Sequence, residues 1–233
     1  MVHSSFRSLG PTENGPDTLI DALQDAVGPQ GTVLYPTFNF KSWTEQHYWD
    51  AEETPSDMGA LTEFARLRPG ARRSPHPIYS FAALGAQADA FAACDDPEAY
   101  GDDSVFGLFH RLDGRILSFG LHFNSTFSMH HYVERVVGVD YRRPKRFAGL
   151  YLKAGEEAQV KTYTMYVRNG PSIKTWIVPG MEALVRQGDI QAGHVGESTV
   201  HHARASVFFD AMSKVVRAHP EWLHEQVDPR RTA

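Results

Sequence analysis

RILSFGLHFNSTFSMHHYVE, residues 115–134, reads as a buried strand over residues 115–119 that turns at Gly120 and opens into a helix over 126–136. A strand that hands the chain to a helix is the repeating unit of α/β architecture. The loop leaving the carboxyl end of such a strand is where open α/β sheets place their ligands. His131 and Glu134 are three residues apart, so on a helix they share a face. A carboxylate beside an imidazole fixes its tautomer and stabilises the imidazolium. Such a histidine can act as a general base, and the hydroxyls of Thr126 and Ser128 can donate to a developing oxyanion. The spacing alone suits a structural His–Glu pair equally well.

Outward from that stretch the same alternation recurs. Residues 1–4 read as a strand, and Gly10, Pro11, Asn14, Gly15 and Pro16 mark a loop. Leu19, Ile20, Leu23, Ala26 and Val27 recur at helical spacing, which predicts a helix over 17–27 with Asp17 as its N-cap. Gly28-Pro29 stops it, and residues 32–35 form a second buried strand. That order predicts a parallel unit with a crossover helix. Residues 36–58 are irregular but aromatic, with Phe38, Phe40, Trp43, Tyr48 and Trp49, which favours an ordered, functional loop. A short helix is expected over 61–67, a strand over 80–84, a helix over 86–93, hairpin strands within 147–168 and a final helix over 206–218. Ser74-Pro75-His76-Pro77 cannot be helical, because proline restricts the residue before it. No repeat or linker divides the chain, so residues 1–233 read as one α/β domain, a mixed central sheet flanked by helices.

Composition narrows the function. The 233 residues are 42% hydrophobic and 22% charged, ordinary for a folded protein and unlike a disordered one. No apolar run is long enough for a membrane span and no secretory leader is visible, so a cytoplasmic location with no membrane partner is expected. The single cysteine, Cys94, forbids an internal disulfide and agrees with a reducing compartment. The net charge of -5 argues against a nucleic-acid partner. Residues 1–113 carry 17 acidic and 7 basic side chains, whereas residues 114–233 carry 11 and 16. The split suits a cationic ligand on one side and an anionic one on the other.

Other motifs are weaker alone. G-x-S-x-G, Walker and G-x-G-x-x-G patterns are absent, and neither a cysteine pair nor H-E-x-x-H is present to hold zinc, so no metal is expected. Ser4, Ser5 and Arg7 lie where a strand turns, a place suited to phosphate oxygens. Arg73, Ser74, His76 and Ser80 offer donors on a proline-stiffened loop. Asp102 and Asp103, close to Asp95, Asp96 and Glu98, form an acidic stretch able to meet a cation. His201-His202 lacks partners at ligand spacing.

In order, these segments resemble the aminoglycoside 3-N-acetyltransferase family, the antibiotic N-acetyltransferases outside the common acetyltransferase fold. The family's H-S-S-L-x-x-L-G is met by residues 3–10, its G-x-D-T helix by Gly15-Pro16-Asp17-Thr18, and its G-T-x-x-x-P-T-F by Gly31-Thr32 to Pro36-Thr37-Phe38. R-S-x-H-P-x-x-S is met by residues 73–80, S-x-F-G by residues 104–107 and H-x-A-E by residues 131–134, with Val133 for alanine. The late V-G is met by Val195-Gly196.

The resemblance implies the antibiotic N-acetyltransferase fold, with a hairpin insertion after the His131 helix, and acetyl transfer from acetyl-coenzyme A to an amine. By similarity His131 is the general base, and Glu134 orients it or holds the acceptor. Ser4, Ser5, Arg7, Ser74, His76, Ser80 and Phe106 are expected to line the coenzyme A groove, and Asp50, Glu52, Asp102 and Asp103 to meet the acceptor. The implied partner is a small-molecule amine, and a homodimer is an admissible assembly. Family members carry a further helix before the H-S-S strand, which this chain is expected to lack. The stretches 131–134, 141–147 and 166–168 look more like biosynthetic members, whose acceptors are amino sugars, aminophosphonates or other small amines. A polyamine acceptor predicts that several of Asp50, Glu52, Glu53, Asp57, Asp102 and Asp103 face the pocket, and a neutral or anionic one that they face solvent. A coenzyme A-binding protein without catalysis is the alternative from another class.

Overall fold

The computed structural model describes residues 1–227. The first half runs β1 (Val2–Ser4), a 3-10 turn, α1 (Pro16–Val27), β2 (Thr32–Pro36), α2 (Phe40–Thr44), β3 (Tyr48–Asp50), α3 (Ala60–Leu67), β4 (Arg72–Arg73), β5 (Phe81–Gly85) and α4 (Ala88–Ala92). The second half runs α5 (Val105–Arg111), β6 (Arg115–Phe119), α6 (Met129–Val137), β7 (Arg142–Leu152), β8 (Gln159–Arg168), β9 (Ile173–Thr175), α7 (Val178–Gln187), β10 (Gln191–Val195), β11 (Ser198–Arg204), α8 (Ala205–Ala218) and β12 (His224–Gln226).

The mixed central sheet has the order β1-β6-β11-β10. β1 runs parallel to β6, pairing His3 with Ser118, while β11 runs antiparallel to both β6 and β10. The parallel β1–α1–β2 unit does not form. β2 pairs antiparallel with β5 in a separate three-stranded sheet, Leu34 opposite Ala83. β5 is as buried as β2 and competes for it, and the pairing needs Gly85. At φ +125° a side chain there would be strained, and its Cβ would run into the Gly31 carbonyl. The hairpin after α6 is present as β7 and β8, with β3 laid parallel along β7.

Several local expectations shift. The N-cap of α1 is Gly15, with Pro16 at the first helical position. Asp17 sits in the first turn, where its carboxylate suits the helix dipole and accepts from Arg68 at 2.7 Å. The helix carrying His131 starts at Met129, so Thr126 and Ser128 belong to the loop before it. The aromatic loop 36–58 is ordered and holds α2 and β3, with Trp43 and Trp49 fully buried. The acidic stretch at 102–103 leads into α5, which Ser104 caps by accepting from the Gly107 amide at 3.2 Å. His201 and His202 are strand residues of β11. His201 packs on Phe123, and His202 meets Arg115 at 3.0 Å.

Two apolar clusters hold the elements. The larger gathers Phe38, Trp43, Trp49, Phe81, Phe106, Tyr151 and Tyr163 beside α6 and α8. The smaller joins Val2, Ile20, Val33, Tyr35, Leu61 and Phe119 under α1 and α3. Phe81 and Phe106 meet edge to face at 5.2 Å, a preferred aromatic geometry.

Candidate active site

Gly120 ends β6 at φ +57°, and a Cβ there would strike the Ser8 side chain. The chain then passes through Phe127, a buried non-glycine residue at φ +49°. Backbone strain of this kind persists only where the surroundings over-determine it, and it gathers at functional sites. Here it sets the entry to α6. Met129, Tyr132 and Val133 bury one face of α6, and α6 packs against α8. The same helix turns His131 toward a cavity of about 250 Å³ and sinks Glu134 completely.

His131 Nδ1 lies 2.6 Å from Glu134 Oε2. This contact places the ring proton on Nδ1 and leaves Nε2, which has no partner among the described residues, with its lone pair free. Burial and the nearby Arg142 hold the His131 pKa well below its ordinary value of 6.5, so the ring is neutral at physiological pH. His130 stacks on it with centroids 3.8 Å apart. Its Nδ1 meets the Phe127 carbonyl at 3.0 Å, and its Nε2 is buried without a partner. Burial lowers the His130 pKa to about 3, and that of His3 likewise to about 3. His3 Nε2 lies 3.3 Å from Ser128 Oγ.

Phe38, Phe40, Tyr79, Tyr100 and Tyr166 give the cavity aromatic walls, and Met58 and Met165 add apolar ones. Thr126 also lines it, and its buried hydroxyl has no partner among the described residues. A buried hydroxyl normally finds one, so this group is available to a ligand atom. Tyr100 sets its ring edge-on to His131 at 5.7 Å. His130, His131 and Glu134 have ligand-type atoms within 4.8 Å of one another. Both Glu134 oxygens are already engaged by Tyr141, His131 and Arg142, so a cation there would have to displace a guanidinium.

The structure brings His131, Glu134, Thr126 and Ser128 together and distributes the other expected site residues elsewhere. Ser4 and Ser5 follow His3 but do not line this cavity, and Arg7 is exposed on the turn beyond them. Ser74, His76, Ser80 and Phe106 lie inside the protein. Ser74 Oγ accepts from the Phe81 amide at 2.9 Å, and Ser80 Oγ bonds Thr37 and Arg73. His76 Nδ1 accepts from the amides of Ile78 and Tyr79, and Phe106 packs on Tyr100 at 4.8 Å. Asp50 closes a turn by accepting from the Glu52 and Glu53 amides at 2.9 Å. Glu52 borders a separate cavity of about 670 Å³, and Asp102 and Asp103 are exposed. None of these four, nor Glu53 or Asp57, lines the His131 cavity.

Sequence reading assigned no role to His3, Tyr100, Tyr141, Arg142, Tyr166 or Thr175. Five of them line the cavity, and Tyr141 stands behind Glu134. For His3 the signal was present in its place at the end of the first strand. For the others, contact depends on how the hairpin folds back over α6, which periodicity does not report.

A histidine that lines a pocket and is tied through one nitrogen to a buried carboxylate is an arrangement able to support acid–base chemistry. The sequence model of the aminoglycoside 3-N-acetyltransferase family matches residues 1–217, and the chain belongs to that family of acetyl-coenzyme A-dependent acyltransferases. Aminoglycoside N(3)-acetyltransferase VII of Streptomyces paromomycinus is 31% identical, the match covering 99% of this chain and 87% of that protein. Aminoglycoside N(3)-acetyltransferase III of Salmonella sp is 33% identical over 73% of this chain and 65% of its own length. Among solved structures, AAC-VIa bound to sisomicin superposes with TM-score 0.79 at 28% identity, covering 94% of this chain and 90% of that one. AAC-IIIb in binary complex with CoASH superposes with TM-score 0.81 at 24% identity, covering 93% and 88%.

Proposed function

We propose that this chain transfers the acetyl group of acetyl-coenzyme A to a primary amine of an aminoglycoside or related amino sugar, with His131 as general base. The observation that carries the reading is that His131 lines a cavity and is backed by Glu134 through Nδ1, which leaves Nε2 for a substrate. The thioester supplies an activated acyl carbon. As the amine nitrogen bonds that carbon, Nε2 takes the amine proton and the carbon–sulfur bond breaks. The proton on the imidazolium then serves the departing thiolate. Glu134 stabilises the imidazolium without taking its proton. The Thr126 hydroxyl donates to the carbonyl oxygen as it gains charge. Arg7, exposed and without an ion pair among the described residues, suits a coenzyme phosphate together with Ser4 and Ser5. Ser74, His76, Ser80 and Phe106 would act on the coenzyme groove by holding its wall from within.

The test is release of free thiol from acetyl-coenzyme A in the presence of an amine. His131→Gln is expected to lower the rate by about 10²–10⁴-fold. A variant that retains wild-type turnover overturns the reading.

One observation favours a second reading of the acceptor. The cavity lining contains aromatic, thioether, hydroxyl, amide, imidazole and guanidinium groups but no carboxylate, and Glu134 behind it is paired with Arg142. That suits an acceptor with a single amine on an uncharged scaffold, such as a simple amino sugar. On this reading kcat/KM for a monoamine exceeds that for an aminoglycoside and changes little with salt. A polyamine optimum that falls steeply with ionic strength decides for the aminoglycoside.

A further inference from the structure

Glu134 is fully buried, and each oxygen is committed. Oε1 accepts from the Tyr141 hydroxyl at 2.9 Å, and Oε2 lies 2.6 Å from His131 Nδ1 and 2.9 Å from Arg142 Nε. Arg142 is itself buried and pinned from two further strands. Nη1 donates to the Tyr166 carbonyl of β8 at 3.3 Å, and Nη2 to Thr175 Oγ1 of β9 at 2.6 Å. Those two bonds fix the guanidinium with Nε beside the carboxylate, an ion pair in which the Nε–H is not aligned as a hydrogen bond. Tyr141 is fixed in turn by stacking on His224 of β12, with centroids 4.2 Å apart.

A buried carboxylate left alone beside an imidazole would fail in one of two ways. Desolvation would drive it toward the neutral acid, which no longer accepts the Nδ1 proton. Alternatively its unbalanced charge would hold the imidazole as a standing imidazolium, which cannot take a proton. A guanidinium at 2.9 Å opposes both, because it stabilises the anion and repels a proton arriving on the ring.

We infer that Arg142, assisted by Tyr141, is the positioning residue that holds the Glu134 carboxylate aimed at His131, so that the imidazole stays a free base. The inference rests on the reading of His131 as the base. The titratable and charged groups facing the pair are His130 on α6, Tyr141 just before β7 and Arg142 at its start, Tyr166 on β8, Tyr79 before β5, Tyr100 before α5 and, behind His130, His3 on β1. Burial keeps the two histidines neutral near neutral pH, and the four tyrosines lie above their ordinary range, which leaves the guanidinium as the one cationic group facing the pair. The balance at His131 is therefore one carboxylate against one guanidinium.

The test uses the whole chain with isotope-labelled histidine, read by NMR titration of the His131 ring and by the pH profile of kcat/KM. In Arg142→Lys, the planar two-nitrogen anchor to Tyr166 and Thr175 is lost. The ring titration and the acid limb are then expected to move up together by about one pH unit. The KM for acetyl-coenzyme A is expected to stay within about twofold. In Tyr141→Phe, a smaller upward move in both and a several-fold loss of kcat are expected. If Arg142→Lys does not fold, Tyr141→Phe decides alone. A His131 titration matching wild type in the folded variants overturns the inference. So does a raised acceptor KM with an unmoved pH profile, which would make Arg142 a binding residue. His131→Gln separates the two claims. Activity surviving that change removes the base reading, while the NMR titration still judges what Arg142 does.

Discussion

Thr126 and His131 show how little separates a core residue from a working one. Both are largely shielded from solvent, and each has one polar atom with no partner among the described residues. For Thr126 this predicts two effects of opposite sense. Thr126→Val keeps the shape and removes a hydroxyl that no protein group satisfies. Thermal stability should therefore hold or rise, because burying an unpaired polar group is costly. The same change should lower kcat by about 10²–10³-fold if the hydroxyl donates to the oxyanion. Melting and single-turnover kinetics on one sample check both, and equal rates would remove Thr126 from the chemistry. For His131 the pH sign follows from its environment. A base works in its unprotonated form, and burial together with Arg142 depresses its pKa. The His131 ring should therefore stay unprotonated as pH falls through 6.5 and titrate only well below it, as NMR of the ring would read. A ring titration at or above 6.5 contradicts that environment.

At the level of elements, the β6–Gly120–α6 passage places the site, and it was legible in the sequence. A buried strand, a glycine, a polar loop and H-x-x-E could be read from residues 115–134, and the strand forms as expected while the helix starts three residues later. Gly120→Ala should cost about 2 kcal/mol, since it combines a left-handed backbone with a clash against Ser8. That corresponds to a melting temperature lower by roughly 4–8 °C for a chain of this size. An unchanged melting temperature would mean that the turn relaxes freely. The hairpin β7–β8 was legible as strands but not as a backing for Glu134. Tyr141 and Arg142 reach it only because β7 follows α6 closely and β8 and β9 pin the guanidinium. The pairing of β2 was misread for a related reason. Two buried strands joined by a helix suggest parallel neighbours, yet β5, distant in sequence, is the partner. Periodicity reports which faces are buried, not which strand lies alongside.

Across the whole molecule the buried imidazoles set the response to acid. Burial lowers His3, His76 and His130 to about 3, and His131 also lies well below 6.5. Between those values and 6.5 the unfolded chain binds more protons than the folded one, so stability is full above 6.5 and is lost as pH falls. Each such histidine contributes on the order of 1 kcal/mol per pH unit. Urea midpoints should therefore decline steadily between pH 6.5 and 5, and a flat midpoint would mean that these rings are solvated. The acidic first half and basic second half were plain in composition, but the acidic side chains proposed for the acceptor turn away from the cavity. Net charge tells which ions gather near a protein and not which side chains line a pocket. The central claim is that His131 Nε2 is the base of an acetyl transfer to an amine. The most direct measurement is thiol release from acetyl-coenzyme A across monoamines, amino sugars and aminoglycosides, by the wild-type chain and by His131→Gln. The account predicts amine-dependent release by the wild type and a loss of at least about a hundredfold in the variant with coenzyme A affinity retained. Equal release by both proteins, or none by the wild type with any amine while coenzyme A still binds, would contradict it.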